Sequence, residues 1–322
     1  MQNRLPGLTL AIGLGLCAMA AHAQGTFPNK PVRVIVPYPA GGIVDVVSRV
    51  ITEKLSPMWG QTIIIEARPG ANSNIGTDAA AKAPADGYTW LATGPAITAN
   101  PALGTNATWD PKKDFTALGV AAWSAAAIVV PASSPAATLK EFVALAKSKP
   151  LNYGNPGTGS SIHLSTELFK QVAGINLQAI GYKGQPQIVS DLLGGQLDVA
   201  FAATGLISQH VQSGKLKALG VIGRERLKQL PGVPTLIEAG YPEAGVMAWY
   251  TFFTRAGAPR EVLEKINADL GRVLAMPDVK EKMEKLGAEA AQPMSLADMG
   301  RMISADTDRW AAVIKAGNIK AE

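Results

Sequence analysis

The chain has 322 residues, 47% apolar and 17% charged, and its 30 Lys and Arg against 25 Asp and Glu leave a formal charge of +5. That length allows two ordinary domains, and that apolar content excludes an unfolded chain. Basic residues alternate with acids, as in Arg224-Glu225-Arg226 and Lys280-Glu281-Lys282, and no basic run carries aromatics. This excludes a nucleic-acid partner and leaves a modest positive field suited to small acidic solutes.

Arg4 precedes an apolar run over 8–21, short for a bilayer span, and Ala21-His22-Ala23 has the small-x-small form of a cleavage site. Residues 1–23 are therefore expected to be a secretory signal peptide, which makes the mature chain periplasmic. The single cysteine, Cys17, leaves with that peptide, and Leu16 before it is too bulky for a lipoprotein site. A mature chain without thiols suits an oxidising compartment.

Residues 32–36 are a β-branched run that reads as a buried strand, stopped by Pro37 and Pro39, which cannot extend a central ladder. Gly41 and Gly42 permit a sharp turn. From Ile43 onward Val44, Val47, Val50, Ile51 and Leu55 recur at helical spacing. Such a unit presents free N–H groups and a helix dipole that favour an anion. A strand over 61–65, a loop through Arg68-Pro69-Gly70, a short helix ending near Ala83 and a strand ending near Thr93 follow. This alternation predicts an α/β fold with parallel-rich sheets flanked by helices. Thr93 falls at the carboxyl end of its strand, where open α/β sheets bind ligands.

Two apolar runs, 118–122 and 126–130, then come with no helix between them. A second βα series follows, with strands near Tyr153 and Ala179 and over 197–201 and 217–222. Its helices cover 160–172 and 184–193, and a third runs to Gln212. The aromatic run 249–253 is expected to cross back between domains, and helices start at Pro259 and Ser295. The expected layout is a discontinuous domain 1, residues 24–124 plus 249–322, and a domain 2 of residues 125–248.

The second glycine-rich turn, Asn155-Pro156-Gly157-Thr158-Gly159-Ser160-Ser161, again joins a strand to a helix N-terminus. It lacks the Lys-Ser/Thr pair of a phosphate loop and the third glycine of a dinucleotide fingerprint, so no cofactor is expected. One such turn is a weak signal. Two in separate domains suggest a clamp that holds a carboxylate between two positive helix ends. The expected ligand set is Tyr38, Pro39, Ala40, Gly41, Gly42 and Ile43 from the first turn, and Gly157, Thr158, Gly159, Ser160 and Ser161 from the second. Asp45, Thr93, Tyr182 and Thr204, at helix or strand ends, complete it, although Asp45 suits helix capping better than ligand contact.

Catalysis is not expected. Ser160, Ser161 and His163 lie too close along one helix to align as nucleophile and base, and no Gly-x-Ser-x-Gly elbow is present. A secreted hydrolase is the weakest reading for that reason. His163 and His210 are not at ligand spacing, so no metal is expected either.

Several motifs together resemble the Bug/TctC-type solute receptors of tripartite tricarboxylate transport systems. They are Pro37-Tyr38-Pro39-Ala40-Gly41-Gly42 with Asp45, Arg68-Pro69-Gly70, Ala85-Asp86-Gly87-Tyr88-Thr89, Gly157-Thr158-Gly159-Ser160, Tyr182-Lys183-Gly184, Asp191-Leu192-Leu193-Gly194-Gly195 and Val233-Pro234-Thr235. The resemblance implies a type II-like two-domain periplasmic-binding fold with the ligand cleft between its domains. It also implies a monomeric receptor that passes a carboxylate to membrane subunits of the TctA/TctB kind. A periplasmic sensor presenting the acid to a membrane kinase is the alternative. Against the family pattern, Ala67 replaces an Asn, residues 72–74 replace a glycine-rich loop, and Gly181 replaces a Pro. Ile43 and Val44 are bulkier than the residues usual after the paired glycines. If they face the cleft, they tilt the expected ligand towards an aromatic acid such as terephthalate.

Overall fold

The computed structural model describes residues 27–321, so the expected signal peptide lies outside them. The run Val32–Val36 forms β1, paired in parallel with β2 (Ile63–Ala67) on one side and β3 (Thr89–Thr93) on the other. Helix α1 (Ile43–Trp59) lays Val47, Ile51 and Leu55 on the sheet, the face that helical spacing dictates, and Gly60 closes it in the left-handed conformation. Helices α2 (Asn74–Ala81) and α3 (Ala96–Ala99) flank β3. Strands β4 (Phe115–Ser124), β10 (Ala248–Arg255) and β11 (Ala288–Ala290) complete a six-stranded sheet of order β11-β4-β10-β3-β1-β2.

Only Ala125 separates β4 from β5 (Ala126–Pro131), yet β5 belongs to another sheet, between β8 (Ala200–Ala203) and β9 (Leu216–Ile222). Strands β6 (Leu151–Asn155) and β7 (Leu177–Gly181) pair in parallel, and a bridge from Tyr153 to Val199 joins them to this group. Four helices cover it: α4 (Leu139–Ser148), α5 (Ser161–Ala173), α6 (Gln185–Leu193) and α7 (Thr204–Gln212). Helix α4 opens on a capping box of Thr138 and Glu141.

The α/β class stands, but the sheets are mixed rather than parallel-rich. Strand β10 is antiparallel to β3 and β4, β11 to β4, and β5 to β8 and β9. Parallel neighbours need a crossover returning to the same end of one sheet. The chain instead leaves the six-stranded sheet after Ser124 and re-enters beside that same strand end, where Ala248 pairs with Ser124, so β10 runs antiparallel to β4. The run 249–253 is likewise not a crossing. It is the middle of β10, and its buried rings serve both faces, Phe252 on one and Trp249 and Phe253 on the other. The return itself lies in 223–247.

The C-terminal helices are α8 (Arg260–Ala275), α9 (Pro277–Lys285) and α10 (Leu296–Ala316). Trp310 and Val313 of α10 pack with Leu164 and Leu168 of α5 and with Leu103. The Gln171 side-chain amide donates to the Val313 carbonyl at 3.0 Å. An apolar seam thus ties α5 to the last helix.

Candidate ligand-binding site

The first turn, between β1 and α1, exposes Pro39, Ala40, Gly41 and Gly42. Gly41 has φ +83°, and no atom lies within 4 Å of where its Cβ would be, so the turn is open as well as left-handed. No side chain caps α1 at Gly42. Asp45, however, reaches back from the first helical turn. Its Oδ2 accepts the Gly41 N–H at 2.9 Å, and Arg49 donates to both carboxylate oxygens at 3.0 Å. The side chain is buried, so Asp45 fastens the turn and takes one N–H that an anion would otherwise use. Val44 is buried in the core behind the sheet, which returns it to packing, whereas Ile43 stays half-exposed on the same cluster.

The Arg49 hydrogen bonds, against the cost of burial, hold the Asp45 carboxyl below the usual carboxylate range. A depressed folded-state pKa stabilises the fold fully above the ordinary value of 3.8, and that stability is lost as pH falls through the lower folded value. Asp45→Asn is therefore expected to flatten the acid limb of the urea midpoint against pH below about pH 4. An acid limb unchanged by this substitution would remove Asp45 from the fastening of the turn.

Thr93 is fully buried, and its hydroxyl shares a 3.1 Å hydrogen bond with that of Tyr38. Ser73 and the Gly94 backbone also hydrogen-bond the Tyr38 phenol, which burial pushes above its ordinary pKa. Thr93 thus positions Tyr38 rather than lining the cleft. Across from it, burial pushes Tyr250 up to about 12, and Tyr250 also senses the charge of Tyr38 and hydrogen-bonds Ser124. Tyr250, Ser124, Ser161, Ser165, Gln185 and Ala203 surround a cavity of about 30 Å³, which is water-sized. Gln185 Oε1 accepts the Ala203 N–H at 2.8 Å. Thr204, next in the chain, is buried and donates its N–H to the Ala125 carbonyl at 3.3 Å, beside the crossing.

In the second turn the Ser160 hydroxyl accepts the His163 N–H at 3.2 Å, an N-cap, and His163 Nδ1 accepts the Gly159 N–H at 3.2 Å. The imidazole therefore braces the turn. Glu167, 3.9 Å from its Nε2, also takes the hydroxyl of Tyr153 and the ammonium of Lys170. The carbonyl of Thr158 lies 3.5 Å from the side-chain amide of Asn72, and buried Gly159 stands against Leu103. Asn72 is itself held by Asn100, which also bonds Asn74 at 2.7 Å. The loop at 72–74 and Leu103 thus bring the six-stranded half against the second turn.

Tyr182 takes no part in the small cavity. Its hydroxyl donates to Asp191 at 2.7 Å, and with Asn155, Gly157, Gly181, Lys183 and Gln187 it lines a wider pocket of about 500 Å³. Burial and the Asp191 carboxylate push its phenol up to about 12. The expected residues therefore divide into two groups. Tyr38, Thr93 and Ser161 gather around Tyr250, and Gly157 and Tyr182 line the wider pocket. Sequence reasoning did not select Asn72, Ser73, Ser124, Asn155, Gln185 or Tyr250. Only the asparagines around Ser73 carried a local signal, since Asn tolerates the left-handed backbone found at Asn72, φ 52°. Among the described residues no three His, Cys, Asp or Glu side chains could share a metal, and no helix is long and apolar enough to cross a membrane.

The family model for the tripartite tricarboxylate transporter family receptor matches residues 47–319. Protein BugT of Bordetella pertussis is 31% identical over 318 residues, covering 97% of each chain. A structure described as R. palustris Rpa4515 with adipate superposes with a TM-score of 0.76 at 32% identity, covering 92% of this chain and 100% of that one. MatC from Rhodopseudomonas palustris, described with bound malate, gives 0.73 at 28% identity, covering 89% and 100%. The chain belongs to the receptors of the tripartite tricarboxylate transporter family, substrate-binding proteins of the Bug/TctC type with a periplasmic-binding fold.

Proposed function

We propose that this receptor captures an organic mono- or dicarboxylate between its two glycine turns and delivers it, as a monomer, to TctA/TctB-like membrane subunits. The observation that carries the reading is the pair of turns. Each ends a strand and opens a helix, and neither contains Arg or Lys, so an anion meets backbone N–H groups and helix dipoles. The two helix starts, at Gly42 and Ile43 and at Ser160 and Ser161, would hold one carboxylate between them with Tyr38 beside it, while the Gly41, Gly157 and Gly159 N–H groups stay committed to Asp45, Asn155 and His163 and shape the turns. The halves 24–124 with 249–322 and 125–248 would close about Ala125 and the return segment. Adipate and malate, named with two neighbouring structures, are acids of this class. Within it we favour an aromatic acid such as terephthalate, because Ile43, Tyr38 and Tyr250 are partly buried apolar side chains packed on one core cluster.

A thermal-shift screen of the mature protein against aliphatic and aromatic carboxylates tests this. A ligand at a hundred times its Kd stabilises by roughly 2.7 kcal/mol, so a binding acid is expected to raise the midpoint visibly. The largest rise is expected with aromatic acids. A rise with malate-like acids alone would return Ile43 to packing, and no rise with any carboxylate would overturn the clamp.

A further inference from the structure

We infer that the Thr251 hydroxyl is the far end of a hydroxyl relay, Thr251 to Thr93 to Tyr38, that turns towards a bound carboxylate, which makes Thr251 a positioning residue for ligand capture. This rests on the carboxylate-receptor reading above, in which Tyr38 stands beside the anion. Among the described residues, Thr251 Oγ1 is the one buried side-chain polar atom with no hydrogen-bond partner. The residue is 2% exposed in the middle of β10, where a lone hydroxyl costs stability and does nothing for the fold. The water-sized cavity beside Tyr250 is walled by other residues, so it does not serve this hydroxyl.

The strand register supplies its partner. Thr251 lies directly opposite Thr93 across the β10–β3 ladder, and such residues share a face with Cβ atoms about 4.5–5.5 Å apart. The core confirms the shared face: the next pair on it, Phe253 and Leu91, enters one cluster, and Phe252 and Ala92 enter the other. A χ1 rotation of Thr251 therefore brings the two threonine hydroxyls together while Thr93 keeps its 3.1 Å hydrogen bond with Tyr38. Each hydroxyl has one hydrogen to donate. When the Tyr38 phenol donates to Thr93, the Thr251 hydroxyl is left out. When a carboxylate takes the Tyr38 hydrogen, Thr93 becomes the donor to the phenol and accepts in turn from Thr251. All three O–H groups then point along the chain at the anion, and each hydrogen bond polarises the next.

Titration calorimetry of the mature protein with adipate, malate and terephthalate, beside urea unfolding, tests the relay. Thr251→Val removes the hydroxyl and keeps the branched shape, so its urea midpoint is expected at or above that of wild type. Its carboxylate affinity is nevertheless expected to fall by about three- to tenfold. Thr251→Ser returns the hydroxyl and is expected to restore the affinity to within about twofold of wild type. In a Tyr38→Phe background the relay has no phenol to reach, and Thr251→Val is expected to cost no further affinity. An affinity unchanged by Thr251→Val, or a loss just as large in the Tyr38→Phe background, overturns the inference while leaving carboxylate binding intact. Failure of every acid to bind wild type overturns the receptor reading and this inference with it.

Discussion

Asp306→Ala is expected to cost about 3–5 kcal/mol of stability. The carboxylate is 3% exposed on α10, and its Oδ2 accepts the indole N–H groups of Trp249 and Trp310, each at 2.9 Å. Thr98 lies 3.5 Å from the same oxygen, and Arg309 donates to Oδ1 at 2.6 Å. Alanine would leave two buried indole donors unsatisfied at once, besides a cavity. Asp306→Asn keeps one acceptor oxygen and is expected to lose clearly less. Urea unfolding at an unchanged slope reads both. A midpoint for the alanine variant within about 1 kcal/mol of wild type would show that the indoles find other acceptors. Trp249 precedes Tyr250 on β10, so the same carboxylate sets the strand that carries a cleft phenol.

The pH signature of this group is opposite to that of Asp45. Burial raises the Asp306 pKa, outweighing its hydrogen bonds and Arg309. A carboxyl whose folded value lies above the unfolded 3.8 binds its proton more tightly in the fold, so its contribution declines as pH rises through the folded value. Asp306→Asn is expected to abolish that decline, whereas Asp45→Asn changes the limb below it.

The strand-turn-helix units were legible because their signals are local. Residues 32–36 are β-branched, prolines end the run, paired glycines turn it, and the helix pattern starts at Ile43. The same locality made Asp45 readable as a cap. What was not legible depends on where the chain returns. Strand β10 enters between β3 and β4 from the other half of the molecule, which alone brings Tyr250 opposite Tyr38 and makes the sheet mixed. Thr93 was found by its place at a strand end, but its role as a support for Tyr38 follows from a side-chain direction that spacing does not encode. Asn155 is the last residue of β6, and its side-chain oxygen takes the Gly157 N–H only because the turn folds back onto the strand end. Val44 was ambiguous in sequence because the first turn of a helix can face either core or cleft.

Gly159→Ala is expected to lose about 2–4 kcal/mol of stability and to weaken carboxylate binding by at least about tenfold. Gly159 has φ +80°, and a Cβ there would sit 2.4 Å from Leu103 Cδ1 and 3.3 Å from Asn72 Nδ2. Leu103 is buried in the seam with Leu164 and Trp310 and has little room to retreat. Relief must come from the turn, which carries with it the Thr158 carbonyl and the cap on α5. Gly157 makes the control within the same turn. Its φ of +133° strains any side chain, but nothing lies within 4 Å of its Cβ position, so Gly157→Ala is expected to lose only about 1–2 kcal/mol. Combining Gly159→Ala with Leu103→Ala separates the clash from the strain. The double variant is expected to be more stable than the two single losses add to, because the second substitution makes the space that the first requires. Strict additivity, or a Gly159→Ala variant no worse than Gly157→Ala, would mean that the close approach of this turn to Leu103 does not set its position.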